Sequence, residues 1–276
     1  LTIGADGSFR YVIDNSNPAV QRLIAGDTLT ETFSYQVTDA GGLNDLATLR
    51  IEIQGSHDNP VASDDAATAQ ATGSAGGEES NPSGNVITLP SRPGSADDPG
   101  GNGIDQDVDR SDQPSNQLTL TGIVNATETE VSLDGSLLSA VSGGTDALTG
   151  TLIAGQYGSL RIGADGSYYY DVDSEHPGVV ALGAGETLTD TFTYQITDTA
   201  GLTDLAQLVV TVRGANDVPS AGSVAVLATE AGGADNTTPG VDPSGTVLNR
   251  TTDPDGEPLT VTAVSTSSGT EGVVGS

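Results

Sequence analysis

The 276-residue sequence contains no cysteine, no methionine and no tryptophan, and all eight of its basic residues are arginine. Each absence excludes something. Without cysteine there is no disulfide and no thiolate metal site. Without lysine there is no Lys–Asn isopeptide cross-link. Without methionine Leu1 is not expected to be a translation start, so the chain reads as a window on something longer or as a processed product. Aromatic residues are 4% of the chain, too few to suggest a carbohydrate-stacking surface. No apolar run approaches the roughly 18 residues that a membrane-spanning helix needs. Hydrophobic residues make up 35%, below the usual ~45–50%, and they come in short alternating runs. Small cores are expected, and one large core is not.

What the chain has in abundance is acid. Against its 8 basic residues stand 38 Asp and Glu, for a formal net charge of −30. Such a surface repels nucleic acid and anionic membranes and attracts cations. Small extracellular domains usually need a covalent or metal staple. With disulfides excluded, hard carboxylates make Ca²⁺ the natural substitute. The length suggests about two domains.

The organising feature is a tandem repeat. Leu160-Arg161-Ile162-Gly163-Ala164-Asp165-Gly166-Ser167-Tyr168-Tyr169-Tyr170 answers Leu1-Thr2-Ile3-Gly4-Ala5-Asp6-Gly7-Ser8-Phe9-Arg10-Tyr11 at an offset of 159 residues. The offset holds without a gap to Ala62 and Ala221, with 33 of 62 positions identical. A fixed period marks stacked units of one architecture. The residues read as strands and turns. Apolar positions alternate around Asp6-Gly7, which predicts a tight type I′ hairpin. Phe33, Tyr35 and Val37 form a second alternating run, and Leu49, Ile51 and Ile53 a third. Pro18–Ala25 reads as a helical turn or loop. Further strands are expected over residues 66–71, 84–89 and 118–123.

The phase of the repeat divides the chain into residues 1–58, the C-terminal half of one unit, residues 59–217, a complete unit with insertions near 90–116 and 127–150, and residues 218–276, the N-terminal half of the next. Each half-unit alone would expose unpaired strands. It is expected to be completed by neighbouring sequence or by another copy of the chain.

Four motifs recur in order: Gly-Ala-Asp-Gly-Ser-(Phe/Tyr)-x-Tyr, Ala-Gly-(Asp/Glu)-Thr-Leu-Thr-(Glu/Asp)-Thr-Phe, Tyr-Gln-(Val/Ile)-Thr-Asp, and a closing (His/Asn)-Asp-x-Pro. In these the chain resembles the VCBS repeat, a bacterial cadherin-like module found in tandem in large RTX-type surface adhesins. The resemblance implies an all-β fold of tandem cadherin-like, immunoglobulin-type β-sandwich domains. It also implies Ca²⁺ between consecutive domains, at Asp58 with Asn59 and at Asn216 with Asp217. His57 departs from the pattern by standing where Asn216 stands in the second copy.

Other candidate ligands follow from the residues themselves. Alternate carboxylates in Asp105-x-Asp107-x-Asp109 and in Asp253-x-Asp255-x-Glu257 can converge on one ion, as in the first half of an EF-hand loop, though neither copy carries the later bidentate Glu. These two stretches are read as counterparts. Glu230, near the start of the last unit, suits a ligand reaching back to the junction. Asp39 and Asp198 end their strands and read as turn formers. The two histidines occupy different parts of the repeat, so no shared zinc pair exists, and no nucleophile elbow or catalytic set marks an enzyme. Tyr168 and Tyr170 are expected in the core with Tyr169 outside.

The expected role is structural and adhesive, a calcium-stiffened extracellular stalk or fibre of a bacterial surface or matrix. One alternative is a subunit of a head-to-tail filament assembled by strand complementation between half-domains. Another is a ligand-binding module that uses the insertion loops. The expected partners are neighbouring repeats or other copies of the chain, with host or matrix ligands beyond them, and not nucleic acid or a membrane interior.

Overall fold

The computed structural model describes residues 1–73, 78–88, 104–107, 118–131 and 137–265. Most of the 90–116 insertion, part of the 127–150 insertion, and Asp109 lie outside them.

The middle unit is a β-sandwich, the fold class expected from the sequence. One sheet has the order β5 (Asp65–Gln70), β13 (Thr203–Arg213), β12 (Thr187–Thr197), β7 (Thr119–Val124), β8 (Ser139–Ala140). The other has the order β6 (Ser83–Asn85), β11 (Ser167–Val172), β10 (Gly158–Ile162), β9 (Thr151–Ala154). Alternation along each strand sends every second side chain inward. Leu160, Ile162, Tyr168, Tyr170, Phe192 and Tyr194 meet Ala67, Ala69, Val86, Ile87 and Leu120 in one core. Tyr169 faces out. All pairings are antiparallel except that of β5 with β13, which runs parallel from Leu208↔Asp65 to Arg213↔Gln70.

Residues 1–54 repeat the later strands of this unit. β1 (Thr2–Ile3) and β2 (Phe9–Arg10) form a hairpin, and β3 (Thr28–Thr38) pairs with β4 (Asn44–Gln54) in the register of β12 with β13. The Pro18–Ala25 stretch contains a single helical turn, α1 (Pro18–Gln21). Proline starts it with a preset φ, and the Asn17 side chain caps the Ala19 N–H. In the second copy His176 takes over that capping role for α2 (Pro177–Val180).

Two local expectations need correction. The Asp-Gly turns are not two-residue type I′ turns. Only the glycine has positive φ, +80° at Gly7 and +79° at Gly166. The loop closes with Gly7 N–H on Gly4 O (3.0 Å) and Gly4 N–H on Ser8 O (2.7 Å), the three-residue form with a left-handed glycine at its end. Asp6 Oδ1 accepts from both Ser8 N (3.0 Å) and Ser8 Oγ (2.7 Å), so the aspartate is more useful here as a side-chain brace than at positive φ. The strand expected over residues 84–89 also stops at Asn85. Its Oδ1 accepts from Ile87 N (2.9 Å) and Thr88 N (2.8 Å), a local bond that competes with the ladder and turns the chain.

In the last unit β14 (Ser220–Ala221) pairs with β15 (Thr251–Thr252). Among its described residues, 224–228, the counterpart of most of β5, have no strand assignment.

Candidate metal centre

The strand pairings fix which acidic residues correspond. Val61 bridges Gln106, and Ser220 pairs with Thr252. Because Ser220 repeats Val61, Thr252 repeats Gln106, and Asp253 therefore answers Asp107 rather than Asp105. Asp255 answers Asp109. The correspondence read from the acidic spacing alone is out by two residues, because the pairing with the linker, not the aspartate pattern, sets the register.

At the second junction the linker and the next unit meet directly. Asp217 N–H donates to Asp255 Oδ2 (2.7 Å), and Asp255 N–H to Asp253 Oδ1 (3.0 Å). Gly256, at φ +73°, lets the loop turn back on Asp253. Asp255 Oδ1 is buried and has no hydrogen-bond partner. A buried oxygen left in this state is costly, and a cation would satisfy it.

Two glutamates come to the same place: Glu257, the last carboxylate of the Asp253-x-Asp255-x-Glu257 stretch, and Glu186, which the sequence reading passed over. A Cβ built on Gly183 would lie 3.7 Å from Asp255 Cβ, 3.9 Å from Glu257 Oε1 and 4.0 Å from Glu186 Oε2. Glu186 Oε2 also accepts from Gly183 N (3.2 Å), as Asp27 Oδ2 does from Ile24 N (3.3 Å) in the first copy. The signal was the acid of the Ala-Gly-(Asp/Glu)-Thr-Leu-Thr motif, present in both copies. Among the described residues no three acids or histidines stand close enough to share an ion as placed. Binding would require Glu186, Asp255 and Glu257 to close around Gly183. Asn216 Nδ2 donates to Asp217 O (3.1 Å), which fixes the linker.

At the first junction Asp58 is half-buried, Asn59 exposed and Asp107 buried. Asp105 lies inside the middle unit. It is fully buried, its Oδ1 accepts from Ser63 N (2.8 Å), and its Oδ2 has no partner. Burial pushes its carboxyl up to about 7, with the charge of Asp204 adding to the shift and the Ser63 N–H opposing it. Asp204 in turn accepts from Ala62 N (2.9 Å). The hydroxyl of Tyr194 stands 2.9 Å from both Ser63 O and Asp65 Oδ2, and its acidity is suppressed by burial first and then by the charge of Asp65. Asp105 thus tethers the start of the unit to its core.

Glu230 is exposed. Its counterpart Ala71 bonds Arg213 O (3.0 Å), and a Cβ on Gly73 would meet Ala215. That arm abuts the linker leaving the middle unit. Asp39 and Asp198 are turn braces. Asp198 Oδ1 accepts from Ala200 N (2.9 Å) and Leu202 N (2.7 Å), and Asp39 Oδ1 from Gly41 N (2.9 Å) and Leu43 N (2.8 Å).

Residues 111–211 match the family described as "Bacterial Ig domain". The chain is also 28% identical over 211 residues to the "Calcium-binding lectin RapA2" of Rhizobium johnstonii, covering 76% of this chain and 69% of that protein. Together with the sandwich, these likenesses support a bacterial Ig-like module. No helix among the described residues is long and apolar enough to cross a membrane.

Proposed function

We propose that the chain is an adhesin-like extracellular repeat of the VCBS type, part of a bacterial surface stalk or matrix fibre, with Ca²⁺ bracing its unit junctions. The observation that carries this is the linker Asp217 held by Asp255 of the next unit, with Glu186 and Glu257 beside it and one buried Asp255 oxygen unsatisfied. Ca²⁺ takes roughly six to eight oxygen ligands. Glu186, Asp217, Asp253, Asp255 and Glu257 supply enough carboxylate to hold it. The likeness to a calcium-binding lectin supports the same metal.

The mechanism is electrostatic. In a chain of net charge −30, carboxylates from two units that face one another repel, and the linker between them flexes. A divalent cation removes the repulsion, draws the Gly183 loop onto the Asp253–Glu257 loop, and holds the units at one angle. The role is mechanical and non-catalytic, with neighbouring repeats as first partners. A second reading, glycan binding through the insertions, is favoured by the relative's description as a lectin.

Thermal unfolding with and without millimolar Ca²⁺, alongside small-angle scattering, tests the proposal. Occupancy at a hundred times Kd adds about 2.7 kcal/mol, and the particle should become longer and stiffer. Asp255→Asn and Glu186→Gln should each weaken the response. A chain whose melting and dimensions ignore Ca²⁺ would overturn the brace.

A further inference from the structure

We infer that the calcium brace forms at the second junction and not at the first, and that one position decides it: Gly183 leaves open the space an ion would take, and Ile24, its counterpart in the first copy, fills it. This deepens the calcium-brace reading, on which it rests, and narrows it from both junctions to one.

The two loops share one backbone. Asp27 N–H donates to Ile24 O (2.9 Å), and Glu186 N–H donates to Gly183 O (3.1 Å). Gly55 N–H donates to Asp27 O (3.0 Å), and Gly214 N–H to Glu186 O (3.0 Å). The acid ties its own loop in both copies, Asp27 Oδ2 accepting from Ile24 N (3.3 Å) and Glu186 Oε2 from Gly183 N (3.2 Å). The tight approach of the closing glycine repeats as well: a Cβ on Gly55 would press on Ile24 O, and one on Gly214 would press on Gly183 O.

With the backbones matched, the Ile24 side chain points where a Cβ on Gly183 would point. At the second junction that direction leads in among Asp255, Glu257 and Glu186, 3.7 Å from Asp255 Cβ, 3.9 Å from Glu257 Oε1 and 4.0 Å from Glu186 Oε2. These are ordinary contacts for a single carbon, and Gly183 lies outside the left-handed region. Neither crowding nor backbone conformation therefore demands glycine at residue 183. What glycine provides is room beside the unsatisfied Asp255 Oδ1. Ca²⁺ draws its oxygens in to about 2.3–2.6 Å, so the loop must close on the ion, and a side chain there would be in the way.

Ile24 puts a branched hydrocarbon into the equivalent room. It is half-buried and offers no oxygen. Branching at Cβ leaves it few rotamers with which to move aside. Apolar surface beside a carboxylate also strips water from the charged form. The partner acid changes in the same sense. Asp27 is one methylene shorter than Glu186, so it reaches less far beyond the Ile24 N–H that it already holds. The first joint is left to packing and the second to the ion, so calcium would fix the angle after the middle unit and not the one before it.

The test titrates Ca²⁺ by calorimetry into the full chain. Gly183→Ile should weaken binding roughly 10–100-fold, the range usual for changes beside a metal's ligands, while melting in chelator stays that of the unchanged chain. Gly183→Ala, which adds only a methyl group, should weaken binding less. Asp27→Asn, at the first-junction counterpart of Glu186, should leave binding unchanged. Full affinity in Gly183→Ile would overturn the inference, as would a loss in Asp27→Asn equal to that in Glu186→Gln. Either result would leave a calcium brace standing. An unchanged chain that binds no Ca²⁺ would overturn the brace and the inference together.

Discussion

Residues 1–54 and 160–213 are two copies of one sequence pattern in two surroundings. Both form the same hairpins, the same glycine loops, the same capped helical turn and the same eleven-residue strand pair in identical register. Their burial differs almost completely. Tyr170 and Phe192 pack edge-on with centroids 6.2 Å apart in a closed core, while Tyr11 and Phe33 keep a similar 6.3 Å tilted contact but are only half-buried. Local structure here is set by turn chemistry and alternation, which each copy carries with it. Burial is set by what lies across the sandwich, which among the described residues is present over residues 160–213.

The comparison can be broken most strongly in the core. Ile196→Ala should destabilise the middle unit by about 2–5 kcal/mol, while Val37→Ala at the equivalent exposed position should change stability by less than about 0.5 kcal/mol. Urea unfolding of both variants measures the contrast, and equal losses would mean residues 1–54 are already covered in solution.

A subtler contrast lies in the loops. Gly7→Ala places a side chain at positive φ in open space, a cost of about 1–2 kcal/mol. Gly166→Ala carries the same backbone strain and also drives its Cβ to 2.8 Å from Ile87 Cγ1, so its loss in the same urea experiment should be the larger of the two.

Asp105 sharpens the comparison with the last unit, where Thr251 holds the equivalent place. Its folded carboxyl titrates at about 7, above the ordinary value of 3.8. The folded unit therefore binds a proton that the unfolded chain has released, so in calcium-free buffer stability should fall as pH rises from about 4 to 7. Asp105→Asn keeps an acceptor for Ser63 N–H and should flatten that slope. A melting-temperature profile against pH, read for both proteins, checks it; an unchanged slope would remove Asp105 from the account.

The smallest expected effect is at an exposed brace. Asp6→Ala loses the bonds to Ser8 and should lower stability only slightly, because both bonds are solvent-exposed. Urea unfolding of this variant beside Gly7→Ala measures it, and a loss as large as that of Gly7→Ala would mean that the side-chain brace rather than the backbone holds the loop.

Much of this was legible in the sequence. The repeat, the all-β class, the inward Tyr168 and Tyr170, and the turn role of Asp198 follow from periodicity and turn residues. Glu186 and Asp190 were less visible. Asp190 stands on the core face of β12, in line with Phe192 and Tyr194, and accepts from Gln156 N (2.7 Å), Tyr157 N (3.0 Å) and Tyr170 Oη (2.7 Å). A charge at an inward position was the available clue, but its partners lie 20 to 34 residues away. The acidic stretches misled for a related reason. Aspartates spaced alternately look alike wherever they fall, so spacing could not tell the buried Asp105 from the junction residue Asp107.

By itself the sequence determined most of the strands, their alternation and the glycine loops, because each depends on residues within a few positions of one another. Tertiary structure decided which acids meet at a junction, which aspartate is buried and driven to hold its proton, and which apolar face is left uncovered. Those outcomes depend on segments distant in the chain, brought together by strand register and by the space that opposing side chains fill or leave open.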